Sequence, residues 1–406
     1  MTNNLEYTTD DPMSASSSAI ETAVQVEAAQ SPQYKRLASL SWLHFLNDGS
    51  ANYLPGILPA VLLALHQSTA LAGSVMSALL IGQALQVFSG WFADRIGGRW
   101  FIICGVLGSS LAAAMIGLAP NIWMLIPALV LIGMSNALFH PQALAGARSL
   151  SGSRRGLGMS LFLVGGELGR GVWPLIASLV VVYWGLHYLW LLALPALLSV
   201  ALLWQQLPLQ APRHPDARPI AWRRHIGPMS SLVAFSLLRA LTIFGVVTYL
   251  PVLWHQRGHD LTQGAALITV LLVVGIVGNV GGGHLSDRIG RRAVLLGSSL
   301  LGALLLAAFL LSQGLWQWLI LGVLGVALFA SLPLGIIIGQ DIFPENRSLG
   351  SGIALGLSNG LAAVCLAGLD LVSAARGPEA VLWLLVGVVT VAGLISLRLP
   401  AESHGA

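Results

Sequence analysis

A chain of 406 residues with 56% hydrophobic side chains, 9% charged side chains and a formal charge of +4 lies outside the range of soluble domains, which carry about 25% charged residues. A water-compatible surface cannot be built from this composition, so a soluble enzyme is excluded and a lipid-embedded chain is indicated. Apolar runs recur from Leu37 to the end, each long enough for the roughly 30 Å hydrocarbon core. They are continuous rather than alternating, so helices rather than a barrel satisfy the backbone in lipid.

Residues 1–36 are polar, with Glu6, Asp10, Asp11, Glu21 and Glu27 ahead of the first base. A secretory signal needs a basic start and then an apolar stretch, and neither is present. The segment reads as a disordered cytoplasmic tail. A first half, residues 37–206, is expected to hold helices near 38–65, 70–92, 100–118, 122–147, 156–183 and 186–206. A linker, residues 207–226, follows with Pro208, Pro212, Pro215 and Pro219 among Arg213, Arg218, Arg223 and Arg224. A second half, residues 227–400, is expected to hold helices near 229–254, 264–284, 292–313, 316–341, 350–373 and 379–399, and residues 401–406 form a short cytoplasmic tail. The fold class is therefore an all-α membrane protein of twelve transmembrane helices. Cys104 and Cys365 each sit inside an apolar run and read as small buried residues, so no redox role, metal site or cofactor is expected.

With the N-terminus in the cytoplasm, cytoplasmic segments carry 16 of the 20 basic residues, from Lys35 and Arg36 to Arg398, and the outer loops carry Arg257 and Arg376. That asymmetry is a positive-inside signal and predicts an inner-membrane protein with both termini cytoplasmic. It also removes nucleic acid as a partner, because the bases follow one membrane face. Arg170 and Arg239 fall inside helices.

The two halves echo each other. Gly90, Asp94, Arg95 and Arg99 after the second helix recur as Gly283, Asp287, Arg288 and Arg292 after the eighth, with Arg291 beside the last. Arg155, Leu157 and Gly158 recur as Arg347, Leu349 and Gly350 at nearly the same offset. Duplicated halves are a mark of secondary transporters, with substrate bound near the midplane between them.

The loop motif, Gly-x-x-x-Asp-Arg-x-Gly with arginines following, resembles the signature of the major facilitator superfamily; Gly98 departs from it in the first copy. The resemblance implies the major facilitator fold, two pseudo-symmetric six-helix halves in a monomer. It also implies that Gly90, Asp94, Arg95, Arg99, Gly283, Asp287, Arg288 and Arg291 form a conformational latch. His44, Asn47 and Asp48, the Phe139-His140-Pro141 run, Val164-Gly165-Gly166, Leu238-Arg239 and Leu250-Pro251 resemble the fosmidomycin-resistance branch of drug exporters. Glu167 stands where that branch usually has Asn.

Ionisable groups inside the bilayer cost roughly 2.5–3.5 kcal/mol on insertion scales and mark functional sites. Counted at about 1.5 Å per residue, Asp48, His140, Glu167 and Arg239 all fall near the midplane, which points to one polar site. His44, Asn47 and Asp48 share a helix face. Asp48 and Glu167 are the expected proton-coupling groups. His44, Asn47, His140, Gln142, Arg239 and Asn359 are the expected substrate contacts, with Arg239 suited to an anion such as a phosphonate. Glu167 and Arg170 lie three apart and are expected to pair. Gly165 and Gly169 are spaced for close helix packing. No phosphate-binding loop, zinc-protease spacing or Ser-His-acid set is present, so an enzyme is not indicated. The reading is a secondary active transporter that exports a drug or anionic metabolite by proton antiport and alternating access. The alternative is a proton-coupled uptake symporter. The partners are then the small-molecule substrate, protons and the lipid bilayer.

Overall fold

The computed structural model describes residues 32–86, 88, 89, 92, 96–207, 222–344 and 347–400, and among these there are helices and no strand. The first half comprises α1 (Tyr34–Asn52), α2 (Leu54–Ala64), α3 (Ala72–Ala84), α4 (Trp100–Ala114), α5 (Ile122–Leu150), α6 (Arg155–Trp184) and, after a 3-10 segment, α7 (Leu194–Leu203). The second half comprises α8 (Trp222–Gln256), α9 (Leu261–Ile289), α10 (Arg291–Leu311), α11 (Leu315–Ala330), α12 (Leu332–Ile342) and α13 (Arg347–Gly352). A π-helical stretch, Ile353–Leu357, leads into α14 (Ser358–Arg376), and α15 (Pro378–Ser396) ends the bundle. Ten helical spans among the described residues are long and apolar enough to cross a bilayer. The two expected first in the chain are α1 with α2, separated at Tyr53, and the shorter apolar helix Thr69–Ala84.

Several expected boundaries shift. α1 starts at Tyr34, inside the segment expected as tail, and α8 starts at Trp222, inside the expected linker. The breaks at Tyr53, Ala193 and Ser331 each fall two residues before a proline (Pro55, Pro195, Pro333). Proline lacks the N–H that a helix interior needs but is tolerated in a first turn, so the chain restarts a helix there instead of continuing one. Capping sets other ends. The Asn121 side chain accepts from the Met124 N–H at the start of α5, and Asp260 from the Gln263 N–H at the start of α9. Gly290, at φ 87°, makes the turn between α9 and α10.

The exterior is apolar. Trp100, Trp123, Tyr183, Trp184 and Trp316 stand exposed at helix ends, where amphipathic rings meet a membrane interface. Cys104 and Cys365 are exposed as well. The expectation that they are buried is thereby corrected: an apolar run in this chain faces lipid as readily as protein. Inside, glycines let helices touch backbone to backbone. A Cβ at Gly169 would strike the Phe45 carbonyl, and one at Gly133 the Leu79 carbonyl. These contacts pack α6 on α1 and α5 on α3.

Between the halves, α6 packs on α9 and α3 on α14, with α2 against α8 and α9. Cross-half hydrogen bonds gather towards the end remote from Tyr34. The Asp370 carboxylate on α14 accepts from the N–H groups of Gly73 and Ser74, both at 2.8 Å, and from the Tyr249 hydroxyl at 2.7 Å. Leu71, the residue capping α3, offers no side-chain bond, so Asp370 satisfies the orphan donors of that helix from the opposite half. The Ser77 hydroxyl also donates to the Ala363 carbonyl at 2.6 Å, and Thr269 to the Gly171 carbonyl at 2.8 Å.

Candidate transport site

The first half gathers ionisable side chains around one carboxylate. Asp48, on α1, is 1% exposed. Its Oδ1 accepts from the amides of Asn47 and Asn136, each at 3.1 Å, and lies 3.4 Å from His140 Nε2. Its Oδ2 accepts from Arg170 at 3.1 Å and lies 3.4 Å from His44 Nε2. Burying a carboxylate costs several kcal/mol unless charges and donors compensate it. The donors Asn47, Asn136 and Arg170 do so here, with the rings of His44 and His140 beside them.

Each of those side chains is held in turn. His44 sits one helical turn before Asp48, stacks on Phe162 at 4.2 Å between centroids, and points Nδ1 at the Phe162 carbonyl at 2.8 Å. Gly166 makes the room, since a Cβ there would strike the His44 ring. The Gly165–Gly166 pair therefore does two jobs, because a Cβ at Gly165 would strike the Ser41 carbonyl. His140 points Nδ1 at the Asn136 carbonyl at 2.9 Å, and its ring meets that of His44 edge-on at 5.2 Å. The Asn47 Oδ1 accepts from Ser109 on α4 at 3.0 Å. Asn47 is thus spent on orienting Asp48. Glu167 is buried and its Oε1 lies 3.6 Å from Arg170, the expected local contact. Its Oε2 has no hydrogen-bond partner among the described residues.

The other candidates lie elsewhere. Gln142 is buried on α5, two residues past His140 and so on another face of the helix. Arg239 is buried at 7% exposure on α8, with no ion-pair or hydrogen-bond partner among the described residues. Sequence reasoning set the Asp48 acid against the Arg239 base across the halves. The contacts differ: Arg170 and the two imidazoles on Asp48 all come from its own half. Asn359 follows the π-helical stretch on α14 and has a buried Oδ1 without a hydrogen bond. Asn136 and Ser109 were not foreseen. Asn136 precedes His140 by four residues, and that spacing on one helix face is the signal that would have found it.

Of the expected latch, Gly90, Asp94 and Arg95 lie outside the described residues. Arg99 donates to the Trp204 carbonyl at 2.9 Å. In the second copy, Gly283, Asp287 and Arg288 lie on the last turns of α9, with Asp287 and Arg288 exposed. Arg291 pairs with Asp341 at the end of α12, and Arg292 donates to the Leu399 carbonyl at 2.7 Å.

A family model described as the Major Facilitator Superfamily matches residues 40–364 and 232–405. The chain belongs to the Major Facilitator Superfamily. This superfamily member is 24% identical over 401 residues to the uncharacterized MFS-type transporter YfnC of Bacillus subtilis, spanning 95% of this chain and 98% of that one. It is 24% identical over 380 residues to the fosmidomycin resistance protein of Escherichia coli, spanning 91% and 93%. A crystal structure of the peptide transporter POT in complex with sulfate superposes with a TM-score of 0.74 at 18% identity, covering 91% of this chain and 96% of that one. The fold and the relatives are those of multi-pass membrane transporters, not of enzymes.

Proposed function

We propose that this transporter exports a small drug or anionic metabolite from the cytoplasm by proton antiport, in a bacterial inner membrane with both termini cytoplasmic. The observation that carries the reading is Arg239. A buried guanidinium without a counter-charge among the described residues is costly, and an anionic cargo relieves that cost. The coupling proton belongs to the Asp48 cluster, where Glu167 supplies a second carboxylate. Because cation and carboxylates sit in different halves, cargo on Arg239 and a proton on the Asp48 side respond to the same rocking of the halves. In this orientation Asp370 lies at the outer end, and its cross-half bonds support a reading in which the outward exit is closed.

Relatedness to a fosmidomycin resistance protein over most of both chains supports export and a phosphonate-like cargo. The test is a panel of anionic and neutral antibiotics on an efflux-deficient host, with and without the protein, followed by uptake into inside-out vesicles. The reading expects ATP-independent accumulation of an anionic compound in those vesicles, abolished by a protonophore, and a selective loss of that compound in Arg239→Ala. Equal loss of neutral cargo contradicts charge recognition. Accumulation only in right-side-out vesicles makes the protein an uptake symporter.

A further inference from the structure

We infer that the coupling proton is carried by the imidazole pair His44 and His140, one proton per cluster, while Asp48 stays ionised throughout. This rests on the proton-antiport reading for its role in transport, but not for its chemistry.

The tautomers decide the chemistry. Both Nδ1 atoms face backbone carbonyls, Phe162 for His44 and Asn136 for His140. A carbonyl only accepts, so both Nδ1 atoms carry hydrogen. In a neutral ring, Nε2 then presents a lone pair. Both Nε2 atoms are aimed at the Asp48 carboxylate at 3.4 Å, and His44 Nε2 is buried without a hydrogen bond. Two lone pairs thus confront a carboxylate that already accepts from Asn47, Asn136 and Arg170. A proton on either Nε2 turns that repulsion into a charge-assisted bond. Protonating Asp48 instead removes the charge that Arg170 pairs with and weakens the bonds from Asn47 and Asn136.

The charge count fixes the number. The charged groups of the cluster are Asp48 from α1, and Glu167 and Arg170 from α6, the Glu167 carboxylate standing against Arg170; α4 contributes the uncharged Ser109, bonded to Asn47. Two carboxylates against one guanidinium leave one net negative charge with both rings neutral. One imidazolium brings the cluster to neutrality, and a second buries excess positive charge. The same count disfavours a divalent metal on these three ligands, although their atoms lie within 4.8 Å of one another. The rings meet edge-on at 5.2 Å between centroids, so both stand beside the same carboxylate and share its one charge.

The test is nitrogen NMR on the full chain with labelled histidine in nanodiscs, with the two signals assigned through His44→Gln and His140→Gln. The expected result is proton uptake at Nε2 only, totalling one proton over the two rings, and held about ten-fold or more weakly in Asp48→Asn. Should Asp48→Asn fail to insert, the unaltered chain still decides the matter. Two rings that stay neutral while the cluster takes up its proton would overturn the assignment, as would two separate full titrations. Tight Zn2+ binding that displaces the proton would overturn it too. None of these outcomes depends on export, so failure here leaves the export reading standing, and the reverse.

Discussion

Asp48 stands at the centre of the polar cluster, and its need for partners was legible because its cost is legible: an acid well inside an apolar helix demands them. His44, Asn47 and His140 were legible for the same reason, by depth and helix face. Asn136 and Ser109 were not, since an uncharged polar residue in an apolar run has no distinctive cost until its partner is known. Sequence spacing pairs Arg170 with Glu167 three residues away, and its reach to Asp48 comes only from the packing of α6 on α1. The glycine beside this site gives a direct check. Gly166→Ala forces a Cβ onto His44, whose ring is pinned by Phe162. Transport is expected to fall at least as far as in His44→Gln, with protein levels in the membrane unchanged. Normal transport in Gly166→Ala contradicts the placement of His44.

Helices were readable from apolar run length, and most of their ends were not. The breaks at Tyr53, Ala193 and Ser331 come from prolines, but Pro127, Pro141 and Pro174 lie inside unbroken helices. The π-helical stretch before Asn359 left no periodic signal either; its Ser358 hydroxyl donates five residues back, to the Ile353 carbonyl. Packing between elements gives the stability prediction. At Gly133 a Cβ meets the Leu79 carbonyl and backbone atoms of α3 rather than a flexible tip. Gly133→Ala should destabilise the bundle by about 1–3 kcal/mol, the range for overpacked cores, read as a lower melting temperature in detergent. An unchanged melting temperature refutes the close α3–α5 contact. At the exposed start of α9, the Thr262 hydroxyl and the Gln263 N–H hold the Asp260 carboxyl below its usual value. The stabilisation by this cap is therefore present above the unfolded pKa and is lost as pH falls through the lowered folded value. In Asp260→Ala the acid-side fall in melting temperature should be shallower, and an identical pH profile denies the cap.

Across the whole molecule, the internal echo at one offset made two related halves legible, but not how they meet. Asp370 joins them by capping a helix of the opposite half, and no sequence spacing announces a bond between residues 297 apart. In Asp370→Asn one amide N–H group must face the Gly73 or Ser74 N–H, donor against donor. The closure at the end remote from Tyr34 should loosen, and Ser77→Cys, in a chain lacking Cys104 and Cys365, should react several-fold faster with an impermeant maleimide added on the side proposed as external. No change in that rate removes Asp370 from the closure. The central claim is that the buried Asp48 cluster ties proton movement to cargo movement. It is tested most directly in proteoliposomes of known orientation, by imposing a pH gradient and following an anionic cargo such as a phosphonate. The account predicts cargo moving against the proton flow in the unaltered protein, and no response to the gradient in Asp48→Asn, while exchange of cargo for cargo persists. Gradient-driven transport of equal size in Asp48→Asn would contradict it.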